Sequence, residues 1–184
     1  MVNRMIKKNA GRISVVTGLL IAAGVLVGCQ GVEQGSGQKA SANLESRSGS
    51  KTTGEVNFVS QGKDVLVTGK FSGLKPNSEH GFHVHEKGDC SSADATSAGG
   101  HFNPDGKGHG SPGSGAHHAG DMPNIKADGA GNANYSAKLN GFAVNTGPNG
   151  IVGKSVVVHR DPDDYKSQPA GNSGPRIACG LIKS

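Results

Sequence analysis

The sequence predicts an all-β domain, a sandwich or barrel of short strands carrying two long loops. Three observations predict it. Glycine supplies 31 of 184 residues and apolar types only 33%. That balance suits a loop-rich domain with a small core, since glycine costs a helix about 1 kcal/mol per residue. No stretch sustains a helical apolar period over three turns, and short runs of strand character recur instead between turn signals. A chain of this length holds one domain plus an extension.

The extension comes first. Residues 1–12, MVNRMIKKNAGR, carry Arg4, Lys7, Lys8 and Arg12 and no acid. An uncharged apolar run, ISVVTGLLIAAGVLVG, follows and ends at Cys29. A basic start, an apolar run and a small residue at the cleavage point make an export signal. Leu26-Val27-Gly28-Cys29 also resembles a bacterial lipoprotein box, in which the cysteine is lipidated and becomes the mature N-terminus. Residues 1–28 are therefore expected to be a signal peptide. Cys29 is expected to anchor the exported chain to a bacterial cell membrane, facing the extracytoplasmic side. An uncleaved transmembrane anchor is the alternative, but the run's 16 residues fall short of the ~20 that a span needs. Residues 29–38, rich in Gly, Ser and Gln, read as the lipidated cysteine and a flexible tether.

Removing the leader changes the charge argument. The 19 basic and 14 acidic residues give +5, but four of the basic residues precede Cys29, leaving 15 against 14, or +1. The basic surplus belongs to the signal, so no nucleic-acid partner is expected.

The folded domain is expected over residues 39–184. KASANLES (39–46) is a weak first strand. TGEVNFV (53–59) and DVLVTGKF (64–71), separated by SQGK, read as a hairpin. HGFHVHE (80–86), NANYSAKL (132–139), GKSVVVH (153–159) and RIACGLI (176–182) complete the set. Residues 87–124 and 160–175 resist strand assignment, and loops of that length inside a compact domain usually carry function.

The histidines concentrate around these loops. His83 and His85 sit at i and i+2 of an apparent strand, so their imidazoles share a face and converge as two ligands of one metal must. His80 has the opposite parity and reads as structural or exposed. The longer loop adds His101, His109, His117, His118 and Asp121, and zinc accepts imidazole and carboxylate from closely spaced loop residues. His101, His109, His118 and Asp121 would fill such a site, and of the neighbours His117 and His118 only one faces inward easily. His159 ends a strand far along the chain.

Three cysteines are an awkward number for an exported protein. With Cys29 lipidated, Cys90 and Cys179 remain as one pair in an oxidising compartment. A bridge between them closes a loop of roughly 90 residues and stabilises by ~4 kcal/mol in the chain-entropy model. Two buried free thiols are the alternative.

GFHVHEKGDC, SAGGHFNP, KGHGSP, HAGD, VVVH and GPRIACG, in that order, give the chain a resemblance to the copper/zinc superoxide dismutases, from about residue 39 to the C-terminus. The secreted bacterial type is especially similar, through SQPAGNSGPRIACG. The resemblance implies a Greek-key β-sandwich or flattened barrel of about eight antiparallel strands. It implies one copper, held by His83, His85, His101 and His159, and one zinc, held by His101, His109, His118 and Asp121. His101 would bridge the two metals, and the HxGD spacing selects His118 over His117. Asp163 matches the carboxylate that links the free nitrogens of His83 and His109. Arg176 matches the cation beside copper, with His101 as proton carrier, and Lys166 is a weaker candidate for the anion path. Cys90 and Cys179 match the family disulfide.

The implied reaction is dismutation of superoxide anion to dioxygen and hydrogen peroxide, protecting the cell envelope, by a monomer or homodimer. A non-catalytic cell-surface copper/zinc-binding protein is the alternative. It would need the ligands but neither Arg176 nor Asp163.

Overall fold

A computed structural model of the protein describes residues 37–113 and 115–184. The expected signal peptide (1–28), Cys29 and most of the tether lie outside the described residues.

Among the described residues eight strands form: β1 (Lys39–Ser46), β2 (Thr53–Gln61), β3 (Asp64–Ser72), β4 (Glu79–His85), β5 (Asp121–Lys126), β6 (Ala133–Leu139), β7 (Ser155–His159) and β8 (Arg176–Leu181). Their sequences show why. In β1, Ala40, Ala42 and Leu44 are buried and alternate with exposed polar residues, and in β3 Val65, Val67 and Phe71 repeat the pattern. Such a period of two turns one face to a core and the other to solvent. The expected hairpin is present, with Val59 opposite Leu66 and Gln61 opposite Asp64.

The strand order is β5-β4-β7-β8-β1-β2-β3-β6, antiparallel throughout. The chain leaves β3 for β4 and β5 at the far end and returns to lay β6 beside β3. It crosses again to place β7 beside β4. These crossings make the Greek-key pattern. β1 pairs with β8 through only Glu45–Cys179 and Ser46–Ala178, a narrow seam between two four-stranded halves, while β5 and β6 approach each other at the other side. The result is a flattened, nearly closed barrel, as the resemblance implies.

The core fills the barrel with Phe58, Phe71, Phe82, Val56, Val67, Met122 and Ile125. Each such side chain contributes ~1.5–3 kcal/mol by leaving water. Phe82 meets Phe71 and Tyr135 edge-on, with ring centroids 5.4 and 5.1 Å away. β4 and β7 depart from simple alternation. Five consecutive residues of β7 are buried, and so is β4 from His80 to His85, because the long loops cover the outer face of the barrel.

Part of one loop corrects the sequence reading. β5 lies within and just beyond the stretch 87–124, which lacks the branched apolar residues that mark strands. It forms because Met122 and Ile125 are buried while its ladder runs along β4. Pro123, which has no N–H to donate, is tolerated at the end of the sheet. The remainder of the loop is tied down by Cys90–Cys179, with Cα atoms 5.7 Å apart. Beneath it, Ala95, Ala98, Val157 and Cys179 form a small apolar cluster of their own.

Candidate metal centre

β4 supplies the first two side chains. His83 and His85 point outward while Phe82 and Val84 fill the barrel, and both imidazoles are buried under the loops. His80 is buried too, held between the Ser78 hydroxyl (2.8 Å) and the carbonyl of His159 (3.0 Å). Of its two readings, the structural one holds.

The long loop returns along β4 to deliver His101. Phe102 N–H donates to Val84 O, and Gly120 N–H donates to Phe102 O, both at 2.8 Å. A Cβ at Gly120 would stand 2.3 Å from Val84 O, so only glycine permits this approach. His101 thereby lies beside His85 and stacks on His83, with ring centroids 3.9 Å apart. His159, the last residue of β7, stands opposite Arg176 of β8. His109 and His118 come from the loop, and Asp121 opens β5 directly across from His83.

Two buried donor groups result, His83–His85–His101–His159 and His101–His109–His118–Asp121, each with its ligand atoms within 4.8 Å of one another. His101 belongs to both. His117 belongs to neither: its Nδ1 is spent on the carbonyl of His118, 2.8 Å away.

Hydrogen bonds fix the tautomers. Nδ1–H of His85 donates to Gly99 O (3.0 Å), and Nδ1–H of His159 donates to Gly174 O (3.1 Å). Nε2–H of His83 donates to one oxygen of Asp163 (2.8 Å), and Nε2–H of His109 to the other (2.9 Å). Asp163 thus joins the two donor groups. Because neutral imidazole carries one proton, the lone pairs of His85 Nε2, His159 Nε2 and His83 Nδ1 are left facing inward, and His109 turns its Nδ1 inward as well.

His83 Nδ1, His101 Nε2 and His109 Nδ1 are buried with no hydrogen-bond partner among the described residues. Such orphans cost ~1–3 kcal/mol each, and a cation shared among them offsets that cost. His109 Nδ1 lies 3.1 Å from Asp121 Oδ2, within reach but off the angle of a hydrogen bond. An all-imidazole group suits copper, and three imidazoles with a carboxylate suit zinc, so the donors fit the metals that the resemblance implies.

The titration behaviour divides the histidines. Burial, with the neighbouring His101 and His159, holds the pKa of His83 and of His85 well below the usual imidazole value. Burial brings His159 down to about 4 despite the Gly174 carbonyl. His109 goes the other way. Burial alone would lower it, but the Asp121 and Asp163 carboxylates, which face its two ring nitrogens, raise it to about 9. Asp121 would be raised by burial, yet the imidazoles of His101, His109 and His118 around it keep it far below the carboxylate range.

A cleft of about 430 Å³ opens onto this centre, lined by His85, His101, His118, His159, Pro169 and Arg176 among others. The Arg176 guanidinium donates to Ala95 O and Gly99 O, both at 2.6 Å. Both acceptors are neutral, so the charge is placed without being neutralised. Lys166 is exposed and does not line the cleft; its N–H donates to Asp164.

Several supporting residues were not legible as site residues. Asn124 exchanges two hydrogen bonds with the backbone of Asp163, at 2.9 and 3.0 Å. Gly171, at φ +64°, lies so close that a Cβ would strike the Asp163 carboxylate. Gln168 grips the backbone of His109. Gln168 and Gly171 do lie within SQPAGNSGPRIACG, but only the position of β5 and the loop folds bring these groups to the site and give them their roles.

Comparison with known proteins bears on this geometry. A family model for copper/zinc superoxide dismutase matches residues 52–182. The chain is 43% identical over 150 residues to copper/zinc superoxide dismutase 2 of Aquifex aeolicus (strain VF5), spanning 79% of this chain and 86% of that one. It is 44% identical over 144 residues to a copper/zinc superoxide dismutase of Cordyceps militaris, spanning 74% and 92% respectively. Among solved structures, that of the clock protein EA4 is similar with a TM-score of 0.72 and 37% identity, covering 80% of this chain and 95% of that one.

Proposed function

The chain belongs to the copper/zinc superoxide dismutase family, and we propose that it carries out the family's reaction outside the cytoplasm, anchored to a membrane through Cys29. The reaction converts two superoxide anions and two protons to dioxygen and hydrogen peroxide, with one copper and one zinc per subunit. Copper is assigned to His83, His85, His101 and His159, and zinc to His101, His109, His118 and Asp121. One observation carries the assignment: the two buried donor groups share His101, and His83 Nδ1, His101 Nε2 and His109 Nδ1 within them have no hydrogen-bond partner among the described residues.

When bound, copper supplies the one-electron couple, and zinc supplies a fixed charge with no redox change. The protein residues do the rest. Arg176 draws the anion into the cleft and offers it guanidinium donors that Ala95 and Gly99 leave free. His85 and His159 stay neutral because they are buried, so their lone pairs remain available. His101 lines the cleft and presents Nε2 inward, the atom placed to take up a proton and pass it to the reduced oxygen species. Burial lowers the pKa of His101, which favours release of that proton. Asp163 holds His83 and His109 in their tautomers, and Pro169 and Ala170 narrow the approach.

The catalytic domain is assigned to residues 39–184, and both donor groups come from one chain, so a monomer or a homodimer serves equally. The apolar run ending at Leu-Val-Gly-Cys supports export, lipidation and a protective role at the cell envelope. Cys29→Ser tests the anchor. The variant should stay active and leave the membrane fraction. Retention on membranes after a high-salt wash would exclude the lipid.

A further inference from the structure

Gln168 lies outside both donor groups and outside the lining of the cleft, yet its side chain is committed to one ligand residue. Its Oε1 accepts from the backbone N–H of His109 at 2.9 Å. Its Nε2 donates to the backbone carbonyl of the same residue, also at 2.9 Å. A second Nε2 hydrogen points to Lys166 O at 3.3 Å. Flipping the carboxamide would set donor against donor and acceptor against acceptor, so the orientation is fixed by chemistry.

His109 needs such a clamp. It stands in a stretch that belongs to no strand, between Lys107 and Gly108, both exposed, and Gly110. No main-chain partner holds its N–H or C=O among the described residues. Its ring is restrained at Nε2 by Asp163 and faces Asp121 at Nδ1. Those contacts orient the ring only if the backbone beneath it stays in place.

The loop carrying Gln168 is built to hold still. The Asp164 carboxylate accepts from the N–H groups of Lys166 and Ser167, from the Ser167 hydroxyl and from Asn172 Nδ2. Gly171 N–H donates to Ser167 O at 2.7 Å. The next two residues, Pro169 and Ala170, form part of the cleft wall.

We propose that Gln168 is a positioning residue for zinc: by clamping the His109 backbone it sets the imidazole for the metal and joins that ligand to the wall of the substrate cleft. The proposal rests on the assignment of zinc to His101, His109, His118 and Asp121. Because Gln168 is exposed, replacing it leaves the core intact. Outer partners of metal ligands typically alter affinity ~10–100-fold.

The test compares Gln168→Leu, which removes both hydrogen bonds, with Gln168→Glu, which keeps the acceptor but not the donor. Zinc affinity is measured by chelator competition on the disulfide-bonded full chain. Cobalt(II) placed in the zinc position reports ligand geometry through its visible spectrum. Gln168→Leu should bind zinc at least tenfold more weakly with an altered cobalt spectrum, Gln168→Glu should fall between it and wild type, and the metal-free melting temperature should not change. Wild-type affinity and spectrum in both variants would overturn the proposal. So would a lower metal-free melting temperature with zinc affinity unchanged, which marks a merely structural role. If wild type itself took no zinc, the site assignment would fail instead.

Discussion

Arg176 and His85 share one acceptor, the carbonyl oxygen of Gly99, which receives the guanidinium at 2.6 Å and the imidazole Nδ1–H at 3.0 Å. A fixed cation and a member of the donor group assigned above to copper are therefore registered to each other through a single backbone atom. That atom lies in the loop that Cys90–Cys179 ties to β8, three residues beyond Arg176. Residues 29–184 carry 15 basic against 14 acidic side chains, so their net charge exerts little pull on an anion and the attraction for superoxide is local.

Arg176→Ala should keep both metals and lose roughly tenfold in superoxide turnover at low salt. Its rate should depend less steeply on salt than wild type, because screening acts over a Debye length of ~10 Å at 0.1 M. Pulse radiolysis on fully metallated proteins across a salt series measures both. A variant as fast as wild type at every salt concentration would remove Arg176 from substrate attraction.

His118→Ala should cut zinc content sharply, since it deletes one of four donors. His117→Ala should leave metal content nearly unchanged, because that ring bonds to a carbonyl and faces no donor group. Elemental analysis decides, and equal losses would overturn the assignment.

Zinc uptake should displace a proton. With its pKa raised to about 9, His109 is protonated at neutral pH in the metal-free protein, and the metal must replace that proton at Nδ1. A folded pKa above the unfolded value contributes stability in full below pH ~6.5, and the contribution disappears as pH rises through about 9. The metal-free protein should thus lose melting temperature between pH 7 and 10, while the zinc form loses less. Calorimetry at pH 7.5 in buffers of different ionisation enthalpy should show about one proton released per zinc. No release, with metal-free stability flat over that range, would contradict the charged His109.

Tyr135 buries a hydroxyl with no partner among the described residues, while its ring packs edge-on against Phe82. An unsatisfied buried group costs ~1–3 kcal/mol. Tyr135→Phe keeps the ring contact, so urea denaturation of the metal-free chain should show unchanged stability or a gain of about 1 kcal/mol. A loss of that size would reveal a partner for the hydroxyl.

What the sequence made legible follows from how the signals are written. Alternation in β1 and β3 and the HxH parity of β4 are local properties, and they foretold strands and converging imidazoles. β5 was hidden because Pro123 and the scarcity of branched residues mimic a loop, and only burial of Met122 and Ile125 against the barrel makes it a strand. The ligand residues stood out because imidazoles are rare and their motifs specific. Asn124, Gln168, Gly99 and Gly171 did not, since the first two bond to the backbone of other residues and the glycines act through a carbonyl or through the absence of a side chain. Such roles exist only after the loops have folded.

The central claim is that the imidazole group around His101, when it holds copper, dismutates superoxide. Superoxide decay should be followed by pulse radiolysis on the zinc-loaded chain as copper is added in steps. The catalysed rate should rise in proportion to copper and level off at one per chain, with the zinc-only form inactive. A fully loaded chain that removes superoxide no faster than its zinc-only form would contradict the account.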